Sequence, residues 1–229
     1  MTIDPETLRQ IEMLRQIETL GQIETLAQDD RPLLVLDVDD VLLHFVGPLL
    51  RYFERNGCVL RLQTFRLFGN VFDIETGAAV ENEKVSALLD GFFGAQTEWQ
   101  TPVEDATRTV ADIARKAEVV LLTAMPHRHR DTRRTFLDRI GLTYPLLTTQ
   151  MAKGPAIRHL RGESGRAVAF VDDMPHNLAS AREAVGEAHL VHLIADNSLR
   201  PLLPELPPGT AVAMDWREAG DRIAGALLI

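Results

Sequence analysis

With 229 residues, 45% of them hydrophobic, the chain can bury one sizeable core and still carry a smaller inserted unit. A net charge of -9 argues against a general binder of nucleic-acid polymers or anionic membranes, and a single cysteine, Cys58, excludes an intrachain disulfide and a thiolate metal cluster. The start "MTIDPETLRQ" has no basic stretch followed by an apolar core, and no run approaches the roughly 18 apolar residues of a membrane span, so the expected compartment is the cytoplasm.

Residues 1–29 carry a hexapeptide repeat, "LRQIEM LRQIET LGQIET LAQ" from Leu8, with Leu or Ile at every third position through Leu26. Three residues turn an α-helix by about 300°, so the apolar stripe slips about 60° per step and winds around the axis. That disfavours a heptad coiled coil. The expectation is a helical extension that contributes nothing to chemistry and whose removal leaves the thermal midpoint nearly unchanged.

At Leu33 the run "LLVLDVDDVLLHF" begins, a strand over Leu33–Asp37 that ends in Asp37, Asp39 and Asp40. Carboxylates at a strand end are rarely buried unpaired, because desolvation and mutual repulsion drive them to take up protons, so a cation or a catalytic use is implied. About eighty residues separate Asp39 from the next strand, far more than a simple crossover needs, and residues 45–103 are therefore assigned to an inserted subdomain. It holds seven of the nine phenylalanines between Phe45 and Trp99, and "VSALLDGFF" sets Val85, Leu88, Leu89, Phe92 and Phe93 at helical spacing. These could stack on a nucleobase or aryl group, but a stripe of this kind more often forms the core of the subdomain itself. "LRLQTFRLFGNVFDIETG" reads as strand-like, which would make the subdomain mixed.

The remaining core, residues 30–44 and 104–229, alternates strands with helices. Strands are expected at Glu118–Thr123, Pro145–Leu147, Ala167–Asp172 and Leu190–Ile194. Such alternation indicates an α/β fold with a parallel sheet covered by helices on both faces. "EVVLLTAMP" delivers Thr123 at its carboxyl end, "MAKGPAIRHL" puts Lys153 at a helix start, and "AVAFVDDMPHNL" ends a strand in Asp172 and Asp173. Ligands bind outside the carboxyl ends of strands in open α/β sheets, so these groups are expected to converge there. After Thr123, "AMPHRHRDTRR" sets His127, Arg128, His129, Arg130, Arg133 and Arg134 close together. Some of them could sit at the mouth of the site and attract an anion, with a solvated helix face as the alternative. Asn177 is expected to support the Asp172–Asp173 loop, and Cys58 and Trp216 to pack.

In this order, aspartate pair, threonine, lysine, aspartate pair, the motifs resemble those of the haloacid dehalogenase-like superfamily. The resemblance spans about residues 32–194. Response-regulator receivers also use aspartate, threonine and lysine, but there the acidic pair comes first and the lysine last. The resemblance implies a Rossmann-like sheet of order 5-4-1-2-3 with a small, mainly helical cap inserted after the first strand. It further implies a phosphatase that acts on a small-molecule phosphate ester.

Under that resemblance Asp37 attacks phosphorus and becomes an aspartyl phosphate, while Asp39 protonates the leaving oxygen and later activates water. Dehalogenases of the superfamily lack this second aspartate, since halide needs no proton. Thr123 and Ala124 would bind phosphoryl oxygens and Lys153 would neutralise charge. Mg²⁺ would be held by Asp37, the Asp39 carbonyl, Asp172 and Asp173. His127 and Arg128 are possible substrate contacts. Phosphotransfer or mutase action through the same intermediate, and a catalytically silent domain that binds Mg²⁺ or phosphate for regulation, are the alternatives.

Overall fold

The computed structural model describes residues 17–26, 30–61 and 66–229. Its organising element is β1 (Leu33–Leu36), four apolar residues with no exposed side chain, as suits a strand covered on both faces. Successive side chains alternate, Leu34 and Leu36 entering one hydrophobic cluster and Leu33 and Val35 another. β4 (Glu118–Thr123) and β6 (Val168–Asp172) flank β1 in parallel, with Val35 opposite both Val120 and Phe170. β5 (Leu146–Thr148) continues the sheet beyond β4, and β7 (His189–His192) and β8 (Ala211–Val212) continue it beyond β6.

The sheet order is β5-β4-β1-β6-β7-β8. Counted over the strands of this sheet alone and read from the β8 edge, it is the expected 5-4-1-2-3 with a sixth strand added outside the fifth. That strand has two residues, too few to stand out as an apolar run. The chain winds one way from β1 to β5 and then crosses to the other side of β1, which makes β1 the switch point of the sheet. The carboxyl ends of β1, β4 and β6 therefore face a common crevice.

One face of the sheet is covered by α5 (Ala106–Ala114), α6 (Arg130–Arg139) and α9 (Trp216–Leu227), which bury Val110, Phe136, Leu137, Trp216 and Ile223. Trp216 does more than pack. Its indole N–H donates to the Val41 carbonyl at 2.9 Å and anchors the loop after β1. The other face carries α7 (Gly154–Arg161) and α8 (Pro175–Ala184), through Ile157, Leu160, Leu178 and Ala181.

That second face also takes α1, a helix over residues 17–24. Ile23 joins the cluster of Leu33 and Val35, and Leu20 and Leu26 pack beside it. The Gln22 amide accepts from Thr148 N at 3.0 Å and donates to Thr148 O at 3.3 Å, covering the edge of β5 as a neighbouring strand would. The expectation that the winding stripe cannot pack continuously on one surface is thus narrowed, since its last copy does dock. From Leu20 to Leu26 the stripe drifts only about 120°, little enough to face one surface. The earlier copies, residues 8–16, lie outside the described residues.

Between β1 and β4 the chain forms α2 (Val46–Arg55), an antiparallel pair β2 (Cys58–Leu60) and β3 (Val71–Asp73), α3 (Asn82–Gly94) and a short α4 (Gln96–Trp99). This inserted segment has its own cluster of Leu49, Phe53, Cys58, Val71, Val85, Phe92 and Phe93, joined from the core by Met125. The helical stripe at Val85, Phe92 and Phe93 is mostly that cluster, with Leu88 and Leu89 at its margin.

Candidate active site

The backbone continues past β1 for one residue, Asp37 N donating to Val171 O at 3.0 Å, and then turns sharply. The turn depends on Asp40, which adopts φ 56° in the left-handed region that short polar residues tolerate best. The Asp40 carboxylate accepts from Phe45 N at 2.8 Å and Val46 N at 3.1 Å, satisfying amides at the start of α2. Burial raises its pKa to about 6 against the lowering effect of those bonds. Asp40 is therefore a loop and helix-start residue, although it lines the same cavity as Asp37 and Asp39.

Lys153, fully buried just before α7, donates to Asp37 Oδ1 at 2.5 Å and to Asp172 Oδ2 at 2.7 Å. Gly154 makes this possible: a Cβ there would lie 2.1 Å from Ser180 O, so only glycine lets α7 approach α8 this closely. The Asp172 carboxylate also accepts from Met174 N at 2.8 Å and Asn177 Nδ2 at 3.0 Å, so Asn177 supports the loop after β6 as expected. His192 supports it from β7. Its Nδ1 faces Arg200 Nη1 at 2.7 Å, and because arginine only donates, the ring proton is assigned to Nε2, which donates to Asp173 O at 2.8 Å. Burial and then the Arg200 charge lower the His192 pKa, which keeps that neutral form.

Asp37, Asp172 and Asp173 are all buried, and each offers an oxygen within 4.8 Å of the others. One ammonium faces three carboxylates. Burial raises Asp37 to about 7, with Lys153 pulling it down and Asp172 and Asp39 pushing it up. Asp173 is raised well above its ordinary value by burial and then by Asp172 and Asp37. Burial works to lower the Lys153 pKa, but the Asp172 and Asp37 charges and hydrogen bonds raise it above the usual lysine value. Without a further cation the cluster therefore tends to take up protons, and a bound cation would let all three carboxylates ionise. Hard oxygen donors grouped in this way suit a divalent cation of the Mg²⁺ or Ca²⁺ type better than a transition metal.

Asp37, Asp39, Ala124, Lys153 and Asp173 line one cavity of about 190 Å³, together with Phe45, Val46, Phe93 and Met174. Larger hollows, of about 510 and 520 Å³, lie elsewhere and contain none of the motif residues. Thr123 is fully buried at the end of β4, where its hydroxyl donates to Asp39 Oδ2 at 3.2 Å. The two suggested substrate contacts are not brought to the cavity. Arg128 is exposed and donates to Asp90 of α3 at 2.8 and 2.5 Å, alongside His129. His127 lies near α1, its Nδ1 2.6 Å from Thr148 Oγ1. Arg133 is neither at the mouth nor on a solvated face, because it is buried with Nη1 3.0 Å from Asp39 Oδ1. Gln100, which belongs to none of the motifs, donates to that same oxygen at 2.8 Å. Neither Gln100 nor Gly154 nor His192 lies in a recognisable pattern.

No protein-family model matches the chain, and no curated protein matches its sequence. Solved structures do match its fold. A HAD family hydrolase from Deinococcus radiodurans R1, with bound phosphate and sodium, is 16% identical with a TM-score of 0.58, over 88% of this chain and 99% of that one. A predicted phosphoglycolate phosphatase from Haemophilus somnus 129PT is 12% identical with a TM-score of 0.56, over 84% and 98%. The putative HAD-hydrolase YfnB from Bacillus subtilis, bound to magnesium, is 15% identical with a TM-score of 0.55, over 87% and 99%. The chain has the haloacid dehalogenase-like fold. Among the described residues no helix is long and apolar enough to cross a membrane.

Proposed function

We propose that the protein is a phosphatase that hydrolyses a small-molecule phosphate monoester through an aspartyl phosphate on Asp37. One observation carries this reading: Asp37, Asp39, Lys153 and Asp173 line a single cavity at the strand ends, with Asp172 behind them. Fold alone would not carry it, since one fold serves many chemistries.

In the first step an Asp37 oxygen attacks phosphorus, and the bond to the ester oxygen breaks as Asp39 supplies that oxygen with a proton. In the second step Asp39 takes a proton from water, which attacks phosphorus, releases phosphate and restores the Asp37 carboxylate. Lys153 orients Asp37 and offsets charge between nucleophile and phosphoryl group, the Ala124 backbone cradles a phosphoryl oxygen, and Thr123, buried behind the cavity, holds Asp39. Bound Mg²⁺, held by Asp37, Asp172 and Asp173, would neutralise the carboxylates that otherwise repel a dianionic ester. The inserted segment serves as a cap, with Phe45, Val46 and Phe93 presenting an apolar wall to the organic part of the ester and excluding water. The similar proteins of this fold that are described as phosphatases lend the reading support.

The test is phosphate release from a panel of monoesters in the presence of Mg²⁺. The reading expects turnover of at least one aryl or alkyl phosphate by the natural chain and none by Asp37→Asn. Turnover that survives in Asp37→Asn would overturn it.

A further inference from the structure

We propose that Gln96, Gln100 and Arg133 form a positioning clamp through which the inserted segment fixes the carboxylate of Asp39. The proposal rests on the phosphatase reading and assigns residues that the motifs do not include. Arg133 projects from α6 with a fully buried side chain, 5.9 Å from the centre of the Phe93 ring. Two arms of its guanidinium donate hydrogen bonds, Nε to Gln96 Oε1 and Nη2 to Gln100 Oε1 at 3.1 Å, while Nη1 makes no hydrogen bond among the described residues and meets Asp39 Oδ1 as an ion pair at 3.0 Å. A buried arginine is costly, and here the Asp39 charge and the two glutamine carbonyls offset it.

Gln100 is the centre of the device. Its Nε2 donates both to Asp39 Oδ1 at 2.8 Å and to His44 O at 3.1 Å. His44 belongs to the chain entering the inserted segment and Gln100 to the chain leaving it, and the two strands of chain pair here through His44 N to Thr101 O and Val103 N to Leu42 O, both 2.9 Å. One amide thus touches both crossings, the arginine and the proton donor. A shift of the inserted segment relative to the core must move Gln100, and with it Asp39.

The clamp also divides the work of the carboxylate. Oδ1 takes the arginine and the amide, whereas Oδ2, among the described residues, takes only the Thr123 hydroxyl at 3.2 Å. Oδ2 is therefore the atom that passes the proton to the leaving oxygen.

Leaving-group dependence tests this. Gln100→Met, similar in volume, and Arg133→Lys are compared with the natural chain on an aryl phosphate with an acidic phenol and on a simple alkyl phosphate, at saturating Mg²⁺. Misplacing a proton donor by about 1 Å costs on the order of 10²-fold, and an alkoxide needs that donor more than an acidic phenolate does. The clamp predicts that kcat on the alkyl phosphate falls at least about tenfold further than kcat on the aryl phosphate, with KM within about twofold. Equal losses on both substrates, as a merely structural role would give, or no loss on either, would overturn it. Should Arg133→Lys fail to fold, Gln100→Met gives the same readout. A natural chain that turns over neither ester would instead overturn the phosphatase reading, and the clamp with it.

Discussion

The repeat contains its own control for the docking of α1. Ile17 and Ile23 occupy the same place in successive hexapeptides, yet Ile17 is 58% exposed and Ile23 only 8%. Truncating a buried isoleucine to alanine costs about 2–5 kcal/mol, and a site at the margin of the core belongs at the low end, near 2 kcal/mol. In a chain of this size each kcal/mol shifts the midpoint by roughly 2–4 °C, so Ile23→Ala lowers it by about 4–8 °C. Ile17→Ala removes little from water and stays within about 0.5 kcal/mol, which alanine's better helix propensity moves toward zero. Gln22→Ala falls between, losing two bonds to the Thr148 backbone worth about 1 kcal/mol each, partly replaced by water at the edge of β5. Thermal unfolding followed by circular dichroism reads all three. Equal shifts at Ile17 and Ile23 would show that α1 does not dock as described.

Gly154→Ala forces α7 away from α8 or displaces Lys153, since the new Cβ would lie 2.1 Å from Ser180 O. We expect a loss of about 1–3 kcal/mol in urea unfolding and a fall in kcat of about 10²-fold, and an unchanged variant would contradict the account. Chelator is expected to stop phosphate release and Mg²⁺ to restore it, because three buried carboxylates face one ammonium. Ca²⁺, with its larger and looser shell, is expected to inhibit, as a competition titration against Mg²⁺ would reveal.

What the sequence made legible was chemistry that recurs at strand ends. β1, β4 and β6 are apolar runs buried on both faces, and each delivers its polar residue where the run stops, so Asp37, Thr123 and Asp172 could be assigned without a structure. Lys153 is legible only through the order of the four motifs, because a lysine at a helix start carries almost no information alone. Less could be read where a single side chain acts across the fold. Arg133 lies in a basic run whose other members are half-buried or exposed, and nothing local distinguishes the one that α6 turns fully inward toward Asp39. Gln100 looks like an ordinary linker residue, since its role comes from a chain crossing more than fifty residues away in sequence. β8 escaped because an edge strand of two residues has no pattern. The docking of α1 is not legible because the stripe winds over the repeat as a whole, whereas one copy suffices to meet a surface.

The most direct test of the central claim is rapid-quench labelling of Asp39→Asn with a ³²P-labelled aryl phosphate whose phenol is acidic. This variant keeps the nucleophile and removes the proton donor, so formation of the intermediate survives better than the attack of water that follows, which loses about 10²–10⁴ in rate. The account predicts a burst of phenol near one equivalent per chain, then slow turnover, with the label on Asp37. Label on another residue, or a burst that persists in Asp37→Asn, would contradict it.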